Sequence, residues 1–353
     1  MKVLNQLSVS ALALILGAVA GCSTPEVSLD PTLTTFSREQ LEDMDEIKLP
    51  PNYSVENFKK LQIGVAFEAI GGEDKTTGAK LTINPDLSSR LQTEMAKLKR
   101  FTVYSAHNRG GVMFFEDLAD VDPNAKLKEA TNVKDIDLVL SGKVTVTKER
   151  HDRYNDVLII YEVECDFSCE DMKTHTVKFA EKAMGRTARK QNFSLTGAQQ
   201  SGFSQADEQQ AILQASLKAL KVVANKLGNT YPVGGEIKGI SGSGEMMTLG
   251  AGFEEGIGAN QQCVIFVDDG GVDIPIALAE ASPKNNGTST LQVYKWNTSN
   301  DDADAVIDEL KEAPRKFIKN GNKIYAVGYG MPVPPEWENA YKGSHDEQMR
   351  LGK

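Results

Sequence analysis

The chain has 353 residues, 40% of them hydrophobic and 25% charged, which is the composition of a folded protein with a hydrophobic core. This length accommodates one large domain or two ordinary ones. The formal net charge of −10 argues against a nucleic-acid partner and against adhesion to anionic lipid through a basic patch, because both need clustered lysine and arginine.

The first 21 residues have the organisation of a secretory signal peptide: Lys2, an apolar run over residues 7–20, and small residues before a cleavage site. The run is too short to span a bilayer comfortably. A cysteine, Cys22, follows Gly21, and this arrangement resembles the lipobox of bacterial lipoproteins. The resemblance implies cleavage between Gly21 and Cys22, diacylation of the Cys22 sulfur and acylation of the new amine.

Two or more acyl chains on one residue make a stable membrane anchor, because each buried CH₂ contributes roughly 0.8 kcal/mol. Ser23 follows the cysteine where an aspartate would suggest retention at the inner membrane. We therefore expect a lipoprotein of the outer membrane that faces the periplasm. The alternative is an ordinary secreted protein whose cleavage site includes a cysteine.

Residues 22–57 are polar and contain four prolines, which predicts a tether between the anchor and the folded body. A capping box formed by Ser37 and Gln40 predicts one short helix that ends at Met44. Fully extended, these residues would reach about 115 Å, so the tether would hold the body well away from the membrane.

Residues 58–230 contain both strand-like and helix-like patterns. A helix begins at Asn84-Pro85-Asp86, because proline at the first helical position and an acid at the helix N-terminus are both favourable. The longest helix is expected at residues 206–227, closed by Gly228. The other expected elements are strands at 61–67, 101–104 and 138–146, short helices at 112–118 and 124–130, and a hairpin of 157–167 with 174–184.

The composition changes at Tyr231-Pro232, where glycines become frequent and the predicted strands become short. This pattern of short strands separated by turns is typical of a small all-β barrel, which we expect over residues 231–330. Its strands are predicted at 236–240, 246–249, 263–267, 274–281, 289–294 and 323–329, with an acidic helix at 301–312. Residues 331–353 are expected to form a polar, mostly disordered tail.

Several stretches of residues 58–230 occur in an order that resembles a known lipoprotein domain. They are the strand at 61–67, the Pro85 helix, Phe101-Thr-Val-Tyr, Asp137-Leu-Val-Leu-Ser-Gly-Lys-Val, Cys169-Glu-Asp-Met-Lys-Thr and the helix before Tyr231-Pro232. The domain is shared by the curli secretion channel subunit CsgG, the penicillin-binding-protein activator LpoB and the TolB amino-terminal domain. In that family a turn commonly reads Asp-x-Lys-Thr-Gly, whereas His175 stands here in place of the glycine.

The resemblance implies an α/β sandwich in which helices pack on a twisted mixed sheet. It transfers no catalytic residue, since members of the family work by holding partners, either copies of themselves in a ring or a periplasmic enzyme. The stretch from Gly234 onward resembles, more weakly, the small β domain that closes flagellar-ring proteins of the FlgT kind.

Three cysteines remain besides Cys22. Cys165 and Cys169 lie in one predicted strand, where residues four apart are about 13 Å apart and beyond disulfide reach. Buried free thiols are therefore expected at Cys165, Cys169 and Cys263, although a turn starting near Ser168 would bring the first two closer.

No other constellation predicts chemistry. The four histidines (His107, His151, His175 and His345) are scattered without metal-ligand spacing, so no metal site is expected. The glycines from Gly239 to Gly244 precede a strand-like segment rather than a helix, which favours a turn over a phosphate-binding loop. We expect no catalytic residues, no cofactor and no small-molecule substrate, and hence no enzyme.

Channel subunits of the family insert β-hairpins into the membrane, and residues 145–156 and 185–203 are the corresponding places here. Both carry several charged residues that a lipid-facing band would not tolerate, so a curli-type pore is the less favoured interpretation. The expected function is that of a protein-binding or self-assembling component of an envelope complex. The alternative is activation of a periplasmic peptidoglycan synthase.

Overall fold

The computed structural model describes residues 36–44, 46–109, 112–117, 136–152, 156–192 and 204–337. They form a mixed β-sheet with two helices, here called the α/β portion, and a separate closed antiparallel barrel of six strands. Within these residues no helix is both long enough and apolar enough to cross a membrane.

The sheet of the α/β portion has the strand order β4-β3-β1-β5-β6-β7, with the short β2 paired to β1. β1 runs parallel to both β3 and β5, while the remaining pairs are antiparallel. The strands are β1 (Leu61–Asp74), β2 (Ala79–Lys80), β3 (Phe101–Arg109), β4 (Val112–Asp117), β5 (Leu138–Asp152), β6 (Asp156–Asp171) and β7 (Thr176–Asn192).

Helices α2 (Leu87–Ala96) and α3 (Gln205–Thr230) cover one face of this sheet. Alternate strand residues such as Ile63, Val65 and Leu140 point into the core between sheet and helices and are fully buried. The mixed sheet with helices is the coarse architecture that the sequence predicts.

The start of α2 and the end of α3 both differ from expectation. α2 begins at Leu87, because the Asn84 side chain accepts the Asp86 N–H (2.9 Å) and holds the preceding residues in a turn. α3 continues past Gly228 to Thr230. Gly228 is needed for packing instead, since a Cβ there would lie 2.7 Å from the Cβ of Met331.

The helix expected at 112–118 is wrong. Residues Val112–Asp117 form strand β4, paired antiparallel with β3 from Tyr104 to Arg109. A six-residue helix is marginal by itself, whereas a short strand gains backbone partners from a neighbouring strand. The helix expected at 124–130 lies outside the described residues.

The predicted hairpin is confirmed and is longer than expected. β5, β6 and β7 contain 15, 16 and 17 residues; β5 and β6 pair without a register shift, and β6 and β7 pair with one irregularity between Cys169 and Glu170. Of the two places where a membrane hairpin would lie, residues 145–152, 156 and 185–192 thus belong to these three strands; residues 153–155 and 193–203 lie outside the described ranges.

The barrel closes in the order β10-β11-β12-β9-β8-β13. Helix α4 (Asp301–Glu312) has the bounds predicted and packs Ala303, Ile307 and Leu310 against the barrel core. Of the Gly239–Gly244 segment, Gly239 and Ile240 end β8, and residues 241–245 form the predicted turn before β9. α5 (Pro314–Lys319) was not predicted. The strands are β8 (Gly234–Ile240), β9 (Met246–Leu249), β10 (Gln261–Asp269), β11 (Val272–Pro283), β12 (Ser289–Trp296) and β13 (Lys323–Gly328).

The expected tether is not free beyond Phe36. The N-terminal strap (residues 36–44 and 46–60) contains the predicted short helix, α1 (Arg38–Glu42), and buries Phe36, Leu41 and Ile47. Lys295 of the barrel donates to the carbonyls of Glu42 and Met44 (2.7 and 2.8 Å). Apolar side chains spaced within a polar segment therefore dock it on the barrel.

The expected tail is also partly packed. Met331 and Trp337 are buried in the core of the α/β portion, and the Trp337 indole N–H donates to Glu94 of α2 (2.8 Å). Glu336 pairs with Lys97 (2.8 Å). Disorder was the wrong expectation for these residues, while residues 338–353 lie outside the described part of the chain.

Arg100 connects the N-terminal strap to the segment that leads from α3 into the barrel. Its guanidinium is buried and donates to four backbone carbonyls, those of Asn57, Lys59, Tyr231 and Pro232. Burial lowers its pKa to about 10, which leaves it charged at neutral pH. Gly256 of the barrel approaches so closely that a Cβ there would lie 2.6 Å from the Arg100 Cα.

Candidate protein-binding face and edge

The side of the sheet away from α2 and α3, here called the open face, carries polar and small side chains. Along β5 the buried Leu140 and Val144 point to the helices, so the exposed Ser141 and Lys143 point to the open face. This alternation follows directly from the pleat of the strand.

A row of alternating charges crosses four strands of the open face. Glu68 pairs in register with Lys143, Lys143 with Asp166, and Asp166 with Lys182. The Lys182 ammonium lies 2.7 Å from Glu164 and 3.3 Å from Asp166. Opposite charges on neighbouring strands favour this register, although each exposed pair contributes little.

A row of small residues lies beside the charged row. Ala66, Ser141, Ser168 and Ala180 are in register across β1, β5, β6 and β7, and the two serine hydroxyls are 3.0 Å apart. The two rows together border a shallow hollow of about 690 Å³. The hollow reaches β7, the last strand of the sheet.

β7 forms an edge of the sheet, because no described strand pairs with it on the side away from β6. Its surface is open: Val177 is 60% exposed and Met184 is 47% exposed. An edge strand presents backbone N–H and C=O groups that a further strand can bind.

β7 is rich in basic residues within an acidic chain, and Lys178, Lys182 and Arg186 each pair with an acid of β6. Its sequence contains five basic residues, Lys178, Lys182, Arg186, Arg189 and Lys190, and one acid, Glu181. Hydrogen bonds from Lys182 to Glu164 and Asp166 raise the lysine's pKa, so it stays charged at neutral pH.

Helix α3 adds two lysines next to this edge. Lys218 donates to the Arg186 carbonyl (2.7 Å), and Lys226 pairs with Glu181. Gly185 permits this close packing, since a Cβ at that position would lie 2.0 Å from the Ala215 carbonyl oxygen. The edge therefore has basic side chains on both sides of its backbone.

A second charged group, around Asp137, is structural. Asp137 accepts the Gln62 N–H (3.0 Å) and pairs with Lys173 (3.0 Å). Burial alone would raise the pKa of Asp137, but these hydrogen bonds outweigh it and hold the pKa below its ordinary value. The group ties the start of β5 to β1 and to the β6–β7 turn.

The residues singled out from sequence are not brought together. Gly21 and Cys22 lie outside the described residues. Cys165, Cys169 and Cys263 are free and buried, as predicted, and burial raises each thiol pKa to about 12. The alternative turn near Ser168 is wrong, since β6 continues to Asp171.

The described histidines serve no common site. His151 is exposed beside Glu149, and His175 occupies a turn with φ of 51°. The side chains of His107 and His345 are not among those described. Over the described ranges, no group of three His, Cys, Asp or Glu residues is placed to hold a metal ion.

Sequence reasoning missed the basic edge, although a signal for it exists. Lys178, Lys182 and Arg186 are spaced by four, and an even spacing within a strand puts side chains on one face. What the pattern leaves open is whether β7 is an edge or an interior strand. Comparison with models of protein families found no match, and comparison with curated proteins found no similar sequence.

Proposed function

We propose that this protein is a lipoprotein, anchored by Cys22 in the outer membrane and facing the periplasm, whose folded body binds a protein partner in an envelope assembly. The anchor is supported by the order Lys2, apolar run, Gly21, Cys22. The binding role is carried by the exposed, basic edge strand β7. We also propose the finer assignment of the α/β portion to the CsgG, LpoB and TolB amino-terminal kind, with residues 58–230 as one domain and 231–330 as a FlgT-like one.

The packed strap favours an assembly close to the membrane over a long reach. Because the chain is docked from Phe36 onward, only fourteen residue steps separate Cys22 from the body, at most about 50 Å. Phe36 packs edge-on against Tyr329 at the barrel. The free part of the tether is thus short, and activation of a distant synthase is the second candidate.

The anchor is tested by radiolabelled palmitate in cells that produce the wild type or Cys22→Ala. We expect label and membrane association in the wild type and the loss of both in the variant. Equal labelling of the two chains would contradict the lipoprotein assignment.

The binding role is tested by extracting the protein from membranes in mild detergent and measuring the mass of the complex. A defined partner in fixed ratio, or a closed symmetric oligomer, supports an assembly function. A strict monomer without a stoichiometric partner contradicts it. Turnover in a panel of hydrolase substrates would support an enzyme instead.

A further inference from the structure

We propose that the β7 edge accepts an extended, acidic segment of the partner, which adds to the sheet as a further strand. The proposal rests on the proposed binding function and names the surface and the chemistry of the partner. Strand addition draws affinity from main-chain hydrogen bonds and specificity from alternate side chains.

The length and exposure of the edge fit such a segment. From Thr176 to Arg186 the strand offers eleven residues, about 35 Å at roughly 3.3 Å per residue. Lys182 and Arg186 have side chains that are 63% and 52% exposed. Both side chains are therefore accessible to an added strand, while the buried Gly185 between them packs on α3.

The charge pattern specifies an acidic occupant. Across the open face the signs run negative at Glu68, positive at Lys143, negative at Asp166 and positive at Lys182. In the neighbouring row Glu162 of β6 pairs with Arg186 of β7. A strand added beyond β7 therefore complements both rows if it carries carboxylates opposite Lys182 and Arg186.

The spacing along β7 gives the pattern of the partner. Lys182, Met184 and Arg186 share the open face, and Met184 is exposed between the two cations. An added strand is complementary when its alternate residues are an acid opposite one cation, an apolar residue opposite Met184 and a second acid opposite the other cation. On the opposite side it meets Lys218 and Lys226, which favours polar or acidic residues there.

The same charges disfavour a second copy paired through its own β7. Antiparallel pairing of two β7 strands would place lysines and arginines of one copy against those of the other, and like charges directly opposite are destabilising. Lysines on an edge also prevent unspecific strand association. An acidic strand is the kind that this edge admits.

The probe is a capped eleven-residue threonine peptide with glutamate at positions four and eight and valine at position six, labelled at one end. Its binding to the full-length lipoprotein in detergent is followed by fluorescence anisotropy. We expect saturable binding that is weakened at least about tenfold in the Lys182→Glu, Arg186→Glu variant. A peptide with lysine in place of glutamate should prefer that variant over the wild type.

The matched control is Lys238→Glu, since Lys238 is an exposed barrel lysine paired with a glutamate, as Lys182 is. It should leave affinity unchanged, and circular dichroism should show all variants folded. A peptide with an N-methylated valine should also lose about tenfold, because it lacks a strand hydrogen bond. Equal binding of the N-methylated peptide would overturn strand addition.

The other outcomes are equally decisive. No saturable binding of the glutamate peptide, or equal binding by wild type and the double variant, overturns the proposal. Concentration-dependent dimers abolished by the double variant would identify a second copy as the occupant and overturn the acidic partner.

If a stoichiometric partner is recovered from membranes with the double variant, this inference fails while the proposed function stands. If the protein binds the peptide but no stoichiometric partner is recovered from membranes, the proposed function fails while the acidic specificity of the edge stands.

Discussion

His175 occupies a turn position that ordinarily suits glycine. The Asp171 carboxylate accepts the N–H groups of Lys173 and Thr174, and His175 then takes φ of 51°. The β1–β2 hairpin repeats this chemistry: Asp74 accepts the N–H groups of the second and third residues after it, and Gly78 follows with φ of 71°. One chain thus contains the same turn with and without glycine.

We predict that His175→Gly raises the free energy of unfolding by about 0.5–1 kcal/mol, because a side chain in the left-handed region costs about 1–2 kcal/mol, offset in part by the entropy of glycine. Gly78→Ala should lower it by a similar amount, since a Cβ there meets no neighbouring atom and only the backbone strain changes. Urea denaturation measures both. A destabilised His175→Gly variant would contradict this account of the turn.

The buried thiols lead to a second prediction at the residue scale. Since burial raises the pKa of Cys165, Cys169 and Cys263 to about 12, they are protonated and inaccessible at pH 8. We expect no reaction of the native protein with a disulfide reagent such as Ellman's, and three reactive thiols after unfolding in urea.

The thiol count also reports on the anchor. In the mature lipoprotein the Cys22 sulfur would be a thioether, whereas an unprocessed chain would show four thiols among its four cysteines. Reaction of a native thiol at pH 8 would show that the described burial does not hold in solution.

At the scale of elements, the strap shows how a polar segment gains a fixed position. Its helix α1 has a complete capping box, in which Ser37 and Gln40 bond each other's backbone N–H groups. Five residues cannot sustain a helix alone, so α1 depends on Leu41, which is 1% exposed. The Arg38 guanidinium lies over the Tyr294 ring of the barrel at 4.5 Å, which is a further contact between α1 and the barrel.

We predict that Leu41→Ala loosens the strap on the barrel, because removing a buried leucine costs about 2–5 kcal/mol and leaves Phe36 and the two Lys295 hydrogen bonds as its main remaining contacts there. Hydrogen exchange and limited proteolysis should then increase over residues 36–57. Glu39→Ala, an exposed change in the same helix, is the control and should leave both unchanged. Unchanged protection in Leu41→Ala would mean that the strap is held by its hydrogen bonds.

β4 and β7 illustrate a second lesson at this scale. The residues of β4 contain apolar and acidic side chains in a short run that fits a helix turn as well as a strand, and only the free side of β3 decides between them. For β7 the residue pattern predicts a strand, while its place at the edge follows from the order of the whole sheet. Whether a segment forms a strand depends largely on its own residues, but which strands it pairs with depends on the rest of the sheet.

At the scale of the molecule, three segments connect the α/β portion with the barrel. They are the N-terminal strap, the Tyr231-Pro232 connection and the returning segment Met331–Trp337. Arg100 binds carbonyls in the first two of these and contacts the Gly256 loop of the barrel. The buried cation acts where the chain crosses between the two parts.

We therefore predict that Arg100→Met lowers the free energy of unfolding by about 3 kcal/mol, because buried carbonyls lose a charged donor, and that calorimetry separates the barrel transition from that of the α/β portion. The adjacent Lys99 is exposed, and Lys99→Met should change stability by less than about 0.5 kcal/mol. A single transition with unchanged midpoint in Arg100→Met would show that the two parts are coupled elsewhere.

The sequence by itself determined the types and rough positions of most elements: the long helix α3, helix α4, the β6–β7 hairpin, the barrel strands and the buried free thiols. These follow from hydrophobic period, caps and turn residues, which act over a few residues. It also predicts the lipid anchor at Cys22. Only the tertiary structure decided that Phe36 and Trp337 are docked, that Arg100 is buried and that β7 is a basic edge. Each of these depends on atoms far away in the chain, because burial and strand order are properties of contacts that no local pattern encodes.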